Sequence, residues 1–253
     1  MARTFLSLPT EVRLQIAEYA LEQPDDAGEC HAATSVQLPC TYCASDNLAI
    51  LLVCRQFHQD FADIALQKTA FRLSRNMNTI WRLPVAKLRH LRKLVIPCDW
   101  TSDSLWHFYP FDDEDLRLDL LSIVWCKTAW APRMEELFRH VQNIKRIRIV
   151  LDCNQNIRRG LLIHLMGAIY KNDHYWRYDA PDGPHLGAVW FEPCWRPEEP
   201  PHDSLARSHD FIAQTPRLHM AEEDYIAMMK PKIDDLMNWV AYEPPLQRDP
   251  GDS

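Results

Sequence analysis

Ile144-Lys145-Arg146-Ile147-Arg148-Ile149-Val150-Leu151 is the stretch that decides how this chain folds. Ile147, Ile149 and Leu151 alternate with Arg146, Arg148 and Val150, and a period of two puts successive side chains on opposite faces of a strand. The preceding residues, Leu137 to Asn143, fit the end of a helix. A loosely similar phrase occurs about 53 residues earlier, where Ala86-Lys87-Leu88-Arg89-His90 leads into Leu91-Arg92-Lys93-Leu94-Val95-Ile96. Each phrase ends a helix and enters a strand, so helix-strand units lie side by side with their strands in one sheet. Two copies are too few and too divergent for a solenoid of stacked repeats.

Outward from these strands, Ala70 to Ser74 reads as a short strand. Helical spacing runs from Leu116 to about Trp125 and again from Met134 to Val141. Ile157 to Tyr170 is amphipathic through Leu161, Leu162, Leu165, Met166 and Ile169. Six prolines between Ala180 and Pro201 hold an irregular surface segment, interrupted by a strand at Gly187 to Phe191. Glu222 to Ala241 reads as a last helix, kinked or divided at Pro231, with Tyr225, Ile226, Met229, Ile233, Leu236, Met237 and Val240 on its apolar side. Residues 243–253 are expected to form a tail that lies on the surface or is disordered.

The N-terminal part carries two motifs. In Leu8-Pro9-Thr10-Glu11-Val12-Arg13, Ser7 can cap a helix, Pro9 suits an opening turn, and Glu11 complements the N-terminal dipole. Leu8, Val12, Ile16, Tyr19 and Ala20 then form the packing face, leaving Glu11, Arg13, Gln15 and Glu18 for water or a partner. The second motif, Leu51-Leu52-Val53-Cys54-Arg55-Gln56-Phe57, falls in a helix from about Asn47 to Lys68. Its stripe of Ile50, Val53, Cys54, Phe57, Phe61, Ile64 and Ala65, widened by Leu48, Leu51 and Leu52, needs cover on two sides. The alternative is that each motif is an ordinary core helix.

The two motifs in this order, followed by Phe71 as a closing aromatic, resemble the F-box, and more closely the fungal F-box-like domains that run Leu-Pro-x-Glu-Ile-Arg and then Leu-Leu-x-Val-Cys-Arg-Gln. Leu8, Pro9, Glu11, Val12, Arg13 and Ile16 carry the first half, and Leu51, Val53, Cys54, Arg55 and Phe57 the second. The resemblance covers roughly residues 1–75. It implies a helical domain that docks on a Skp1-type adaptor and brings a protein substrate to a cullin-type ubiquitin ligase. It further implies that Leu8, Pro9, Glu11, Val12, Ile16, Leu51, Val53 and Phe57 make or support the docking face. The chain departs from the family in a long insert, about 23–46, which either projects outward or folds over the docking helices.

Composition bounds the rest. With 47% hydrophobic and 10% aromatic residues in 253, the chain is expected to fold. It has no run near the ~18 apolar residues of a membrane span and no apolar leader, so it reads as soluble and intracellular. Eight cysteines are scattered rather than framed, which argues against a disulfide scaffold. The net charge of −7 argues against a polyanion as main partner. Even so, the segment 68–93 holds eight basic residues and no acidic one, while Asp112-Asp113-Glu114-Asp115 and Glu222-Glu223-Asp224 are acidic. Solvated faces, with the acidic runs as internal counterparts, are one reading, and a nucleic-acid surface is the other.

Within the insert, Cys30, His31, Cys40 and Cys43 form a candidate structural zinc site, because a Cys-x-x-Cys pair can place two thiolates on one tetrahedral ion. The opposing reading is a loop with incidental cysteines. No His-Glu-x-x-His, Gly-x-Ser-x-Gly, Walker or dinucleotide-binding loop is present. His164 reads as a partly buried helix residue, and His202, Asp203, Ser204, His209 and Asp210 as a polar loop without catalytic support. The aromatics Trp100, Trp106, Phe108, Tyr109 and Phe111, and Tyr175, Trp176, Tyr178, Trp190, Phe191 and Trp195, either anchor loops in the core or serve a protein partner.

The sequence therefore implies an α+β protein. An F-box-like helical region (1–75) packs on a mixed helix-strand body (76–242) ending in a long helix, with a tail at 243–253. The expected function is a non-enzymatic protein-interaction module with no cofactor unless zinc, binding a Skp1-type adaptor and an unknown protein substrate and no membrane. The alternatives are a binding module without a ligase connection, zinc-stabilised, and a nucleic-acid binder using residues 68–93.

Overall fold

The computed structural model describes residues 5–29, 43–73, 85–98, 111, 113–125, 138, 143–151, 155–181, 183, 190–194, 208–215 and 219–241. The chain is α+β. After a 3-10 turn at Phe5–Ser7 come α1 (Thr10–Ala20), α2 (Ala44–Leu48), a second 3-10 turn (Ala49–Leu52) and α3 (Arg55–Lys68). There follow β1 (Ala70–Arg72), α4 (Val85–Leu88), β2 (Lys93–Cys98), β3 (Leu120–Trp125), β4 (Arg146–Leu151) and α5 (Gln155–His174). A π-helical turn (Tyr175–Asp179) leads to β5 (Trp190–Pro193), β6 (Ser208–Gln214) and α6 (Glu222–Ala241).

Among the described residues, six strands form one sheet in the order β1-β2-β3-β4-β6-β5. The first four are parallel, and β6 and β5 join antiparallel. Registered neighbours in the parallel part lie 23, 27 and 26 residues apart, from Ala70 to Lys93, Lys93 to Leu120 and Leu121 to Ile147. The spacing reflects a recurring phrase: Leu91-x-x-Leu94-x-Ile96, Leu118-x-x-Leu121-x-Ile123 and Ile144-x-x-Ile147-x-Ile149. Midway between the two phrases visible in sequence lies a third copy of the strand entry.

That middle copy corrects the helix expected from Leu116 to Trp125. All six residues of β3 are buried, because it is a central parallel strand covered on both faces, and such strands lose the alternation that marks a half-exposed one. A short, continuous apolar run fits either period. A second correction concerns His209 and Asp210. They lie in β6 rather than in a loop, where Phe211 is completely buried between half-buried Asp210 and exposed Ile212. A third concerns the single helix expected from Asn47 to Lys68. It is interrupted at Cys54, whose extended backbone (φ −163°, ψ 168°) starts α3 afresh. One straight helix would have spread Leu48, Ile50, Leu51, Leu52, Val53 and Phe57 around more surface than α1 can cover.

One face of the sheet carries the large core. Leu94, Ile96, Leu121, Ile123, Trp125, Ile147, Ile149, Leu151 and Phe211 pack against Leu162, Leu165, Met166 and Ile169 of α5 and against Tyr225, Met229 and Leu236 of α6. The last helix runs unbroken through Pro231, and Ile226, Ile233 and Met237, expected on its apolar side, are exposed. A separate small core joins α1 to α3 through Ala17, Leu21, Phe61 and Ala65. The expected closing aromatic, Phe71, sits in β1 and packs on the large core. Of the helix expected at Met134 to Val141, only Phe138 is among the described residues, and it is buried against Phe191 and Phe211. The tail 243–253 lies outside them.

Replacement of Ile149 by Ala, which empties a fully packed site between β3 and β6, is expected to lower unfolding free energy by about 2–5 kcal/mol in urea titration. Ile212→Ala, at an exposed position of the same sheet, should stay within about 0.5 kcal/mol of the natural chain.

Candidate functional site

Arg13 organises the N-terminal region. Its Nε and Nη2 donate to Oδ2 of Asp60 on α3 at 3.0 and 2.6 Å, Nη1 donates to the carbonyl of Leu8 at 2.7 Å, and Nη2 donates to Thr10 Oγ1 at 3.2 Å. The pair is almost completely buried. A charge can be withdrawn from water at tolerable cost only when matched by an opposite charge and by hydrogen bonds, and both are supplied. Around it, Phe5, Phe57 and Phe61 meet edge to face at 5.1–6.1 Å, filling the space that small Ala17 and Ala65 leave between the helices.

This arrangement inverts the expected face of α1. Arg13, expected at the surface, is inside with Ala17 and Leu21, while Val12, Ile16 and Tyr19 are 38, 44 and 89% exposed. The buried hydrogen-bonded ion pair fixes the helix rotation, and the apolar stripe at helical spacing is left facing outward. Ser7 does not cap α1. It lies in the preceding 3-10 turn, and Pro9 occupies the position before the first helical residue without a side-chain cap.

The expected docking residues therefore divide. Pro9, Glu11, Val12, Ile16 and Val53 are exposed; Leu8 is half-buried and spends its carbonyl on Arg13; Leu51 and Phe57 pack into the small core. Sequence reasoning missed Leu52, 87% exposed beside Val53, and put Tyr19 on the buried side. The signal for Tyr19 was its place three residues beyond Ile16. Of the zinc candidates, Cys30, His31 and Cys40 lie outside the described residues. Cys43 is exposed, with its Sγ 2.8 Å from Ser45 Oγ. Among the described residues no three metal-ligating side chains converge.

A second polar assembly lies on the face of the sheet away from the large core. Val95, Val124, Val150 and Ala70 form its apolar floor, with Ala27 packed on it. Residues 22–29, the start of the insert, cross this face. Arg72 Nη1 donates to the Gly28 carbonyl at 2.8 Å, Lys93 Nζ to the Gln23 carbonyl at 3.1 Å and to Glu22 Oε1 at 3.2 Å, and Arg146 Nη2 to Asp25 Oδ2 at 2.6 Å. Lys68 pairs with the other oxygen of Glu22. Glu29 is buried and accepts from Ser122 Oγ at 2.6 Å. The turn needs Gly28, whose φ of 82° disfavours other residues. Arg148 takes both oxygens of Asp210 at 2.7 and 2.9 Å, a bond that holds the guanidinium charged more firmly than usual. The hydrogen bond from Lys68 holds the Glu22 carboxyl below its ordinary range. At Asp25, burial pushes upward, but the bond and charge of Arg146, with Arg148 and Lys93, outweigh it and lower the value.

Most of the basic segment 68–93 is thereby paired internally: Lys68 and Lys93 with Glu22, Arg72 with Gly28, Arg89 with Asp115 of the acidic run, and Arg92 with the carbonyls of Arg89, Leu91 and Arg117. Arg75 and Arg82 lie outside the described residues. His164 is exposed on α5 rather than partly buried. Phe111, Trp190 and Phe191 anchor the core, Trp176 and Tyr178 are half-buried, and Tyr175 is exposed; Trp100, Trp106, Phe108, Tyr109 and Trp195 lie outside the described residues. No described helix is long and apolar enough to cross a membrane. Comparison of the chain with protein-family models, curated proteins and solved structures gives no match.

Asp60→Ala strands the buried Arg13 charge and should cost about 3–5 kcal/mol in urea unfolding. Acid titration tests the sheet-face pairs. Because the folded-state values of Glu22 and Asp25 lie below the ordinary 4.5 and 3.8, their contribution is complete above that range and is lost as pH falls through the lower folded values. A Glu22→Gln, Asp25→Asn double variant should show a shallower loss of stability across that window, measured as unfolding midpoint against pH.

Proposed function

We propose that this chain is a non-enzymatic protein-interaction module that docks through its N-terminal helices on a Skp1-type adaptor and presents a protein substrate to a cullin-type ubiquitin ligase. The observation that carries the reading is the outward stripe of Val12, Ile16 and Tyr19 on the helix that bears the Leu-Pro-x-Glu motif. Leu52 and Val53, in the turn before α3, are exposed from within the second motif. A helix that turns large apolar side chains to solvent while burying an arginine has the character of a surface awaiting a partner, since such side chains gain about 25 cal/mol for each Å² removed from water. The residues shared with the F-box-like pattern supply the identity of that partner. Leu51, Phe57 and Leu8 then support the face from beneath, and Pro9, Glu11, Val12, Ile16 and Val53 meet the adaptor.

The internal pairing of Lys68, Arg72, Arg89 and Lys93 favours this reading over a nucleic-acid surface on residues 68–93. Co-purification with a Skp1-type adaptor tests it. The natural chain should capture the adaptor, and Val12→Asp, Ile16→Asp, placed at exposed positions so that the fold survives, should reduce capture at least about tenfold, since centrally placed contacts of this kind cost on the order of 2 kcal/mol. Equal capture by the variant, or none by the folded natural chain, would sink the proposal.

A further inference from the structure

The cationic side of the sheet already holds a peptide, and that peptide is the chain's own residues 22–29. The fit is of one chemical kind. Carboxylates of Glu22 and Asp25 and main-chain carbonyls of Gln23 and Gly28 are taken up by Arg72, Lys93 and Arg146, with Arg148 3.9 Å from both Asp25 and Glu29. The hold on the segment is uneven. At one end Gly28 and Glu29 are buried, and Glu29 is bonded to Ser122. At the other, Glu22, Pro24, Asp25 and Asp26 are exposed; Gln23 Oε1 accepts from the Ala70 N–H at 2.9 Å, and the remaining hold comes from the ion pairs that the exposed carboxylates of Glu22 and Asp25 make with Lys68, Lys93 and Arg146, which individually contribute little. The segment is thus anchored at Glu29 and exchangeable towards Glu22.

We propose that residues 22–26 are a built-in acidic pseudo-ligand, and that the strip of Lys68, Lys93 and Arg146 beneath them is a docking site for an acidic peptide segment of a protein partner, which enters by displacing them. A polypeptide suits the strip better than a nucleic acid for two reasons. The strip recognises carbonyl oxygens as well as carboxylates, and it is bordered by Asp210 and Glu29 in a chain of net charge −7, a setting that repels a long polyanion. The inference rests on the protein-interaction reading only in taking the ligand to be a polypeptide. Its assay contains no adaptor, so failure of adaptor capture and failure of this site are separate results.

The probe is a fluorescein-labelled peptide with the sequence of residues 21–29, Leu-Glu-Gln-Pro-Asp-Asp-Ala-Gly-Glu, titrated by anisotropy against the full chain. Removing the competing carboxylates with Glu22→Gln, Asp25→Asn should tighten binding about fivefold or more, as expected for the release of two exposed ion pairs. Adding Arg146→Gln should abolish the gain, and raising salt should weaken binding throughout. If the double variant does not fold, Asp25→Asn alone, at an exposed carboxylate, is used. Hydrogen exchange on the natural chain supplies the second measurement: saturating peptide should speed exchange of the amides of residues 22–26. No binding by any folded form, equal affinity of natural and released chains, unchanged exchange, or displacement of the peptide by an oligonucleotide of equal charge at lower concentration would each overturn the proposal.

Discussion

Arg148 ties together three stretches of chain that are remote in sequence. On β4 it stands directly opposite Asp210 of β6 and takes both oxygens of that carboxylate, at the seam where the sheet changes from parallel to antiparallel. From the other side it meets Asp25 and Glu29, both at 3.9 Å. A guanidinium this far from water needs such a ring of carboxylates, because desolvation is costly and each opposite charge offsets part of it. The constraint runs both ways. The turn at 24–28 and the placement of β6 beside β4 both bring oxygens to this one arginine.

Much of this architecture is legible in the sequence, and the failures have physical causes. Strands were readable where one face is apolar and the other charged, as at Arg146 and Arg148 or at Lys93. They were not readable at Leu120 to Trp125, where cover on both sides erases the period. His209 and Asp210 look like loop because prolines crowd the preceding segment and because Phe211, Ile212 and Ala213 are consecutive apolar residues, which hides the in-and-out burial of the strand. The polar sheet face was invisible altogether. Its partners are 44 to 123 residues apart along the chain, and nothing local announces that Arg72 will meet Gly28 or that Arg146 will meet Asp25.

The N-terminal helices show a subtler failure. Periodicity correctly found two stripes on α1, but hydrophobicity assigned the wrong one to the interior. Arg13 goes inside because Asp60, the Leu8 carbonyl and Thr10 satisfy it there, and because a ring cluster of three phenylalanines with two alanines already supplies the apolar contact. Which residues of the Leu-Pro-x-Glu segment face outward thus depended on three-dimensional packing that periodicity alone does not supply.

The ends of the sheet carry one more consequence. Its outer strands are its shortest: β1 has three residues and β5 four, the last of them Pro193, which has no N–H to offer a neighbour. β1 is further flanked by α2, whose Asn47 bonds Thr69 just before the strand begins. Such blunt margins give an incoming strand little to zip onto, so the sheet resists growth by edge-to-edge addition of a second chain and the cross-β association that follows from it. A molecule that leaves apolar side chains in the open on its helices has, at its sheet, closed the route by which unfolded or neighbouring chains most readily aggregate.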